Sequence, residues 1–312
     1  MDGAACNERS EVVLCQAKSR KVVAYIHNHL HTHGINLIFA AKYYYMSKVV
    51  LITGASSGIG AAIAQYLFQK EYIVYGTSRH PKDATVNGVH MLALDVTKAE
   101  TIEKAVASLL EKEGRIDVLI NNAGMGITGP LEETPDSETK RVFETNYFGP
   151  LEVIKAVLPS MRSQASGLII NITSIAGYMG LPYRGIYSAT KGALAITTEA
   201  YRMELKAFNV KMTTVAPGDF ATNIAAGRYH APLLADSPYK ENYGNTLRLM
   251  DEHVDAGMDT AVMARMVYKI MNTTNPKVHY RVGFFMQKFG IVLKRLLPDT
   301  WYEKLLLNHY KL

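Results

Sequence analysis

Cysteine is nearly missing from this chain of 312 residues. Only Cys6 and Cys15 occur, so everything from residue 46 onward folds without disulfides and offers no thiolate to a metal. The scarcity suits a reducing compartment, and a cytoplasmic location is expected. Long apolar runs are missing too. No stretch approaches the ~18–20 residues of a membrane-crossing helix, and the N-terminus has no basic segment leading directly into an apolar core and a small-residue cleavage site. A soluble protein is expected, touching a membrane peripherally at most. Charge of one sign is in short supply as well: 34 Lys and Arg face 28 Asp and Glu, for a net +6. Five basic and three acidic side chains in the first 45 residues carry +2 of it, leaving a dispersed +4, too little to argue for nucleic acid. What is left, 48% apolar and 20% charged, is globular composition with length enough for one large domain.

The first 45 residues hold one conspicuous pattern, "HNHLHTH", with His27, His29, His31 and His33 at alternate positions. On a strand these would share a face, as a metal site requires. No carboxylate or thiolate accompanies them, and a second start-like stretch, Met46-Ser47-Lys48, follows. No metal is expected, residues 1–45 are taken as an extension outside the core, and a single domain is expected over 46–312.

From Lys48 onward short β-branched runs alternate with helical stretches, the pattern of βαβ units. "KVVLIT", "YIVYGTS", "VHMLALD", "IDVLINNAG", "GLIINITS", "NVKMTTVAPG" and "VHYRVG" give about seven strands, with helices through "GAAIAQYLFQK", "AETIEKAVASLLEK" and the region from Phe143 to Met161. Continuous apolar runs mark strands buried on both faces, and right-handed crossovers put helices on both sides. The expected fold class is α/β, a doubly wound parallel sheet of Rossmann type. Residues 225–259, rich in Tyr, Pro, Asp and Asn, interrupt the alternation and are expected to form a mobile lid over a site.

"TGASSGIG" joins the first strand to the first helix. Its Gly54, Gly58 and Gly60, with Ser56, Ser57 and Ile59 between them, allow a tight turn, close approach of backbone to an anion, and a helix start with free N–H groups for a pyrophosphate. The spacing is GxxxGxG and no lysine follows, which argues against a P-loop and nucleoside triphosphate hydrolysis. In "YSATK", Tyr187 and Lys191 are four residues apart and share a helix face. An ammonium beside a phenol favours its ionised form, and such a tyrosine can exchange a proton with an alcohol or ketone oxygen while a cofactor exchanges hydride at carbon. Ser174 ends an apolar strand, where its hydroxyl would face the crevice at the carboxyl edge of the sheet. Its alternative role is to cap the next segment.

TGxxxGIG, then "NNAG" (Asn121 to Gly124), Asn146, Ser174, "YSATK" and "PGDFAT" (Pro217 to Thr222) stand in the order and spacing of the short-chain dehydrogenase/reductase family. The chain resembles that family from Met46 to about Thr222, and its GxxxGxG spacing is similar to the shorter branch. The resemblance implies four catalytic residues: Ser174 holds the substrate oxygen, Tyr187 moves its proton, Lys191 also grips the nicotinamide ribose, and Asn146 places a water linking Lys191 to solvent. It implies cofactor contacts at Asn122, Ala123 and Gly124, at Pro217 and Gly218, at Asp95 with Val96 beside adenine, and at Thr222 on the carboxamide. Ser78 stands where members preferring NAD tend to carry aspartate, and Arg79 offers a planar guanidinium to a 2′-phosphate, so NADP(H) is expected over NAD(H).

For substrate, "GLPYRGIY", the Tyr-rich lid and the closing "FFMQKFGIVLKRLLPDTWYEKLLL" supply apolar surface without an arginine cluster for an anionic group. An apolar alcohol or ketone fits, and "GLPYRGIYSATK" is similar to hydroxysteroid and retinol dehydrogenases of the family. The expected function is an NADP(H)-dependent alcohol/carbonyl oxidoreductase (EC 1.1.1.-) acting on a steroid-, retinoid- or lipid-like small molecule, assembled as a homodimer or homotetramer. The alternative is a catalytically silent NADP(H)-sensing regulator. The closing stretch is read as packing or a subunit contact.

Overall fold

A computed structural model describes residues 47–220, 227–255 and 257–312. The four N-terminal histidines and Thr222 lie outside them.

In β1 (Val49–Ile52) all four side chains are buried. Val50 and Ile52 pack with Ile63, Leu67, Val267 and Ile270, whereas Val49 and Leu51 pack with Leu109, Val157 and Met161 on the opposite side. An unbroken apolar run with a two-residue side-chain period thus fills two cores at once. The other strands are β2 (Ile73–Ser78), β3 (Thr85–Val86), β4 (Val89–Ala93), β5 (Val118–Asn121), β6 (Ile127–Thr128), β7 (Gly167–Ile172), β8 (Val210–Pro217), β9 (Tyr229–His230) and β10 (His279–Val282). The seven anticipated strands pair in parallel in the order β4-β2-β1-β5-β7-β8-β10.

An eighth, β3, adds to β4 antiparallel at the edge. Its turn, Asn87-Gly88, has both residues in the left-handed region (φ 49° and 84°), the conformation that two-residue hairpins prefer.

The helices are α1 (Gly58–Gln69), α2 (Ala99–Glu113), α3 (Asp136–Phe143), α4 (Gly149–Ser163), α5 (Gly185–Glu204), α6 (Lys240–Asp255), α7 (Ala261–Met271), α8 (Phe285–Leu296) and α9 (Asp299–Tyr310). α1 and α7 cover one face of the sheet and α2 and α4 the other. The described part of the region expected as a mobile lid contains β9, which pairs with β6, and α6. Tyr243 of α6 is buried and its hydroxyl donates to the Thr128 carbonyl at 3.0 Å, which ties the helix to β6. Among the described residues no helix is long and apolar enough to cross a membrane, and no three His, Cys, Asp or Glu side chains gather as a metal site would need.

Candidate active site

Between β1 and β5 the strand order reverses, which opens a crevice at their carboxyl ends. Gly54 leaves β1 in the left-handed region at φ 66°. A Cβ on Gly60 would stand 2.2 Å from the Gly54 carbonyl oxygen and 2.4 Å from Asn122 Nδ2, so only glycine lets the turn fold back on the strand ends. Asn122 locks that fold from β5 by donating to the carbonyls of Thr53 (3.0 Å) and Gly54 (2.9 Å). Thr53 Oγ1 in return accepts from the N–H groups of Asn122 and Ala123, each at 3.0 Å. α1 then begins with no side-chain cap at Ser57 and no acidic residue in its first turn. Its first N–H groups are left to an anion, as a pyrophosphate site requires. Ser56 and Ser57 are exposed beside this helix end, while Ile59 packs against the core.

The proton-handling residues come from three elements. Ser174 follows β7, and its Oγ accepts from the Ala176 N–H at 3.2 Å, so it does cap the short turn Ile175–Tyr178. Gly177 presses that turn onto α5: a Cβ there would lie 2.9 Å from the Lys191 carbonyl carbon. On α5, Tyr187 and Lys191 are 9% and 5% exposed, and the ammonium lies 5.9 Å from the centre of the phenol ring. Lys191 Nζ donates to the Ile172 carbonyl at 3.1 Å. Burial pushes its pKa below the ordinary lysine value, with Tyr187 acting the other way.

Asn146 sits fully buried in a π-helical turn, Glu144–Phe148, between α3 and α4. Its Oδ1 accepts from the Met125 N–H and its Nδ2 donates to the Met125 carbonyl, both at 2.8 Å, and to Thr190 Oγ1 at 3.3 Å. Asn146 in this π-helical turn is therefore a clamp on the loop after β5. Exposed Gly124 marks where the groups converge, since a Cβ there would stand 3.1 Å from Asn146 Oδ1 and 3.4 Å from Lys191 Nζ.

Arg79, His80 and Lys82 line a cavity of about 740 Å³ together with Ser56 and Ser78. Val86 and Asn87 of the β3–β4 hairpin also line it. The cavity thus joins the helix start to the end of β2, the place expected to choose between cofactors. At the end of β4, burial works to raise the Asp95 pKa, but hydrogen bonds from the Thr97 N–H (3.0 Å) and hydroxyl (2.8 Å) outweigh it, and the charges of Arg79 and Lys98 add to them. The carboxyl is held below its usual range. Val96 is buried against Gly149, which leaves its backbone rather than its side chain for a ligand. At the end of β8, Pro217 is buried, and just after it the Gly218 N–H donates to the Val282 carbonyl at 2.7 Å.

Three features escaped the sequence reading. Thr53, the polar hinge under the glycine turn, was signalled only by its place in "TGASSGIG". Arg184, 5.4 Å above the Tyr187 ring centre, carried no signal beyond lying three residues ahead of it. The Asn87-Gly88 hairpin was announced by its dipeptide.

A family model described as short chain dehydrogenase matches residues 48–232. A 3-ketodihydrosphingosine reductase of Bacteroides thetaiotaomicron is 40% identical over 254 residues, 81% of this chain and 94% of that protein. The crystal structure of a short-chain dehydrogenase from Streptomyces avermitilis superposes with a TM-score of 0.72 at 32% identity, covering 85% of this chain and 97% of that one. An alcohol dehydrogenase from the archaeon Thermococcus sibiricus, complexed with 5-hydroxy-NADP, gives 0.61 at 26% identity, covering 76% and 96%. Solved neighbours of this fold hold NADP or NAD. With the crevice, the glycine turn and the Asn146, Ser174, Tyr187 and Lys191 set in the expected order on the expected sheet, the chain belongs to the short-chain dehydrogenase/reductase family of oxidoreductases.

Proposed function

We propose that the protein is an NADP(H)-dependent oxidoreductase that interconverts a ketone and an alcohol on an apolar, lipid-like molecule, with Tyr187 as the proton donor and acceptor. The observation that carries this reading is the convergence of Asn146, Lys191 and Gly124 beside Tyr187, at the mouth of a crevice whose uncapped helix end suits a pyrophosphate. When bound, the nicotinamide cofactor supplies or takes the hydride. Gly54, Ser56, Ser57, Gly58 and Gly60 would hold its phosphates, and Asn122, Ala123, Gly124, Pro217 and Gly218 would flank it. Arg79, with His80 and Lys82 in the same cavity, favours a 2′-phosphate over a bare ribose.

Tyr187 gives its hydroxyl proton to the substrate oxygen during reduction, and Ser174 Oγ, already an acceptor from Ala176, donates to that same oxygen. Lys191 holds a positive charge near the phenol and keeps N–H groups beyond the Ile172 bond for the ribose. Both amide hydrogens of Asn146 are engaged, so a water linking Lys191 to solvent would be held through an oxygen of this residue. The keto-lipid named in the Bacteroides relative, together with the apolar surface around the site, favours a long-chain ketone over a sugar or acid. Residues 1–45 remain outside this machinery, the segment 225–259 covers the substrate, and a homodimer or homotetramer in the cytoplasm belongs to the same reading.

The test is NADPH consumption, followed by absorbance, with 3-ketodihydrosphingosine and a panel of apolar ketones. Tyr187→Phe should bind NADPH normally by fluorescence yet lose ~10² to 10⁴ in kcat. Unchanged turnover in that variant overturns the proton assignment. Tight NADPH binding with no substrate turned over anywhere in the panel supports a nucleotide sensor in its place.

A further inference from the structure

The C-terminal helices were read from sequence as packing or a subunit contact, and the structure packs only one side of them. On α8, Ile291 is buried against Ile175 and Ala216, and Gln287 Nε2 donates to Asp219 Oδ2 at 2.6 Å. On α9, Tyr302 and Tyr310 are buried, and the Tyr302 hydroxyl donates to Met179 Sδ at 2.8 Å. The outward side is apolar. Phe285, Phe289, Val292 and Leu296, spaced four, three and four apart, form one stripe along α8 and are 73%, 38%, 39% and 75% exposed. The rings of Phe285 and Phe289 stack with centroids 5.7 Å apart. On α9, Trp301 (65% exposed) and Leu305, four apart, add two more exposed apolar side chains.

Charge says what such a stripe faces. α8 contains three basic residues and no acidic one, and Lys288 and Arg295, seven apart, flank the stripe on one edge. Over residues 284–312, five Lys and Arg oppose two Asp and Glu. A self-complementary subunit interface would bring these like charges together, whereas an anionic lipid surface neutralises them while taking up Phe, Leu and Trp. We propose that the outer faces of α8 and α9 dock this protein on an anionic membrane surface, with Phe285, Phe289, Leu296 and Trp301 inserted and Lys288 and Arg295 at the headgroups.

The same helices back onto the site. α8 packs on the turn that begins at Ser174, and Tyr310 of α9 bonds Arg184 over the Tyr187 ring. A docked protein would therefore present the substrate side of its crevice close to the bilayer. The docking itself does not depend on which ketone is reduced.

Trp301 is the one tryptophan in the sequence, so its emission reports this face alone. The full chain should co-sediment with vesicles of mixed phosphatidylcholine and phosphatidylserine, with a blue shift of tryptophan emission. It should bind pure phosphatidylcholine less, and release at high salt. Withdrawing one phenylalanine from water is worth a factor of about ten to a hundred, so Phe285→Ser with Phe289→Ser should weaken partition at least tenfold. Lys288→Glu with Arg295→Glu keeps the apolar stripe and should abolish the preference for anionic vesicles, with circular dichroism and thermal midpoint confirming that both variants fold. No binding to either vesicle, or binding indifferent to both pairs of changes, overturns the proposal. So does a dimer by light scattering that the phenylalanine pair dissociates, since the stripe would then be a subunit contact.

Discussion

Replacing Lys191 by methionine separates what this residue does for the fold from what it does for the chemistry. The ammonium is buried, and its one described hydrogen bond goes to the Ile172 carbonyl. Keeping a charge in such a place costs several kcal/mol after relaxation, against which the charged hydrogen bond returns about 1.5–3 kcal/mol. Methionine keeps the unbranched stem and most of its packing, and leaves the carbonyl without that donor at a cost of about 1–3 kcal/mol. The two sides nearly balance. The expected outcome is a thermal midpoint that stays or rises, at ~2–4 °C per kcal/mol for a domain of this size, while turnover collapses. The pH dependence carries the sign. Burial holds the folded pKa below the unfolded value of ~10.4, so the ammonium destabilises fully below the folded pKa and the penalty fades as pH rises toward the unfolded one. Any advantage of the methionine variant should be greatest near neutrality and should shrink on raising the pH. Thermal scans and urea titrations of both proteins, at neutral pH and near pH ~10, measure this directly. A variant that loses more than about 3 kcal/mol at neutral pH, in the range of a large core truncation, would falsify the balance just drawn, as would a difference that does not move with pH.

Other consequences are simpler to read. Gly60→Ala forces a methyl into the Gly54 carbonyl and Asn122 Nδ2, and should cost about 1–3 kcal/mol as an overpacked core does, with cofactor affinity falling alongside the urea midpoint; a neutral result would mean the turn yields freely. Ser78→Asp with Arg79→Leu should erase a preference for NADPH over NADH, by about 1.5–3 kcal/mol for a lost bond to a charged group, and equal affinities in the unaltered protein defeat the premise. Removing residues 1–45 should leave folding and cofactor binding intact because β1 begins at Val49, and a truncated chain that fails to fold places the segment in the domain.

How far the sequence carries can be judged at three places. The apolar run from Val49 to Ile52 announced a strand buried on both faces, and the structure fills a core on each side of it. The same legibility held for the seven parallel strands and for the glycine turn, because backbone geometry is a local requirement: a two-residue period, a positive φ, a helix start. Asn146 was legible only in part. Its place in the order of motifs was visible, but that its amide would grip both main-chain groups of Met125 depended on how the loop after β5 meets the π turn. Arg184 was not legible at all, since an arginine ahead of a helix looks alike whether solvent or the Tyr187 ring lies beneath it.

By itself, then, the chain determined its periodicities, its turns and the order in which chemically able residues appear. The tertiary structure alone decided which of them meet: the packing of α5 on the turn after β7 set Gly177 against the Lys191 backbone and Lys191 Nζ on the Ile172 carbonyl, and the return of the chain through β5 set Asn122 under Gly54. It also decided which apolar residues are left facing out, because burial of Ile291 and Tyr302 against the sheet end turned Phe285, Phe289, Leu296 and Trp301 to the surface. Local patterns are written in neighbouring residues, whereas proximity and exposure are properties of distant segments that only packing brings together.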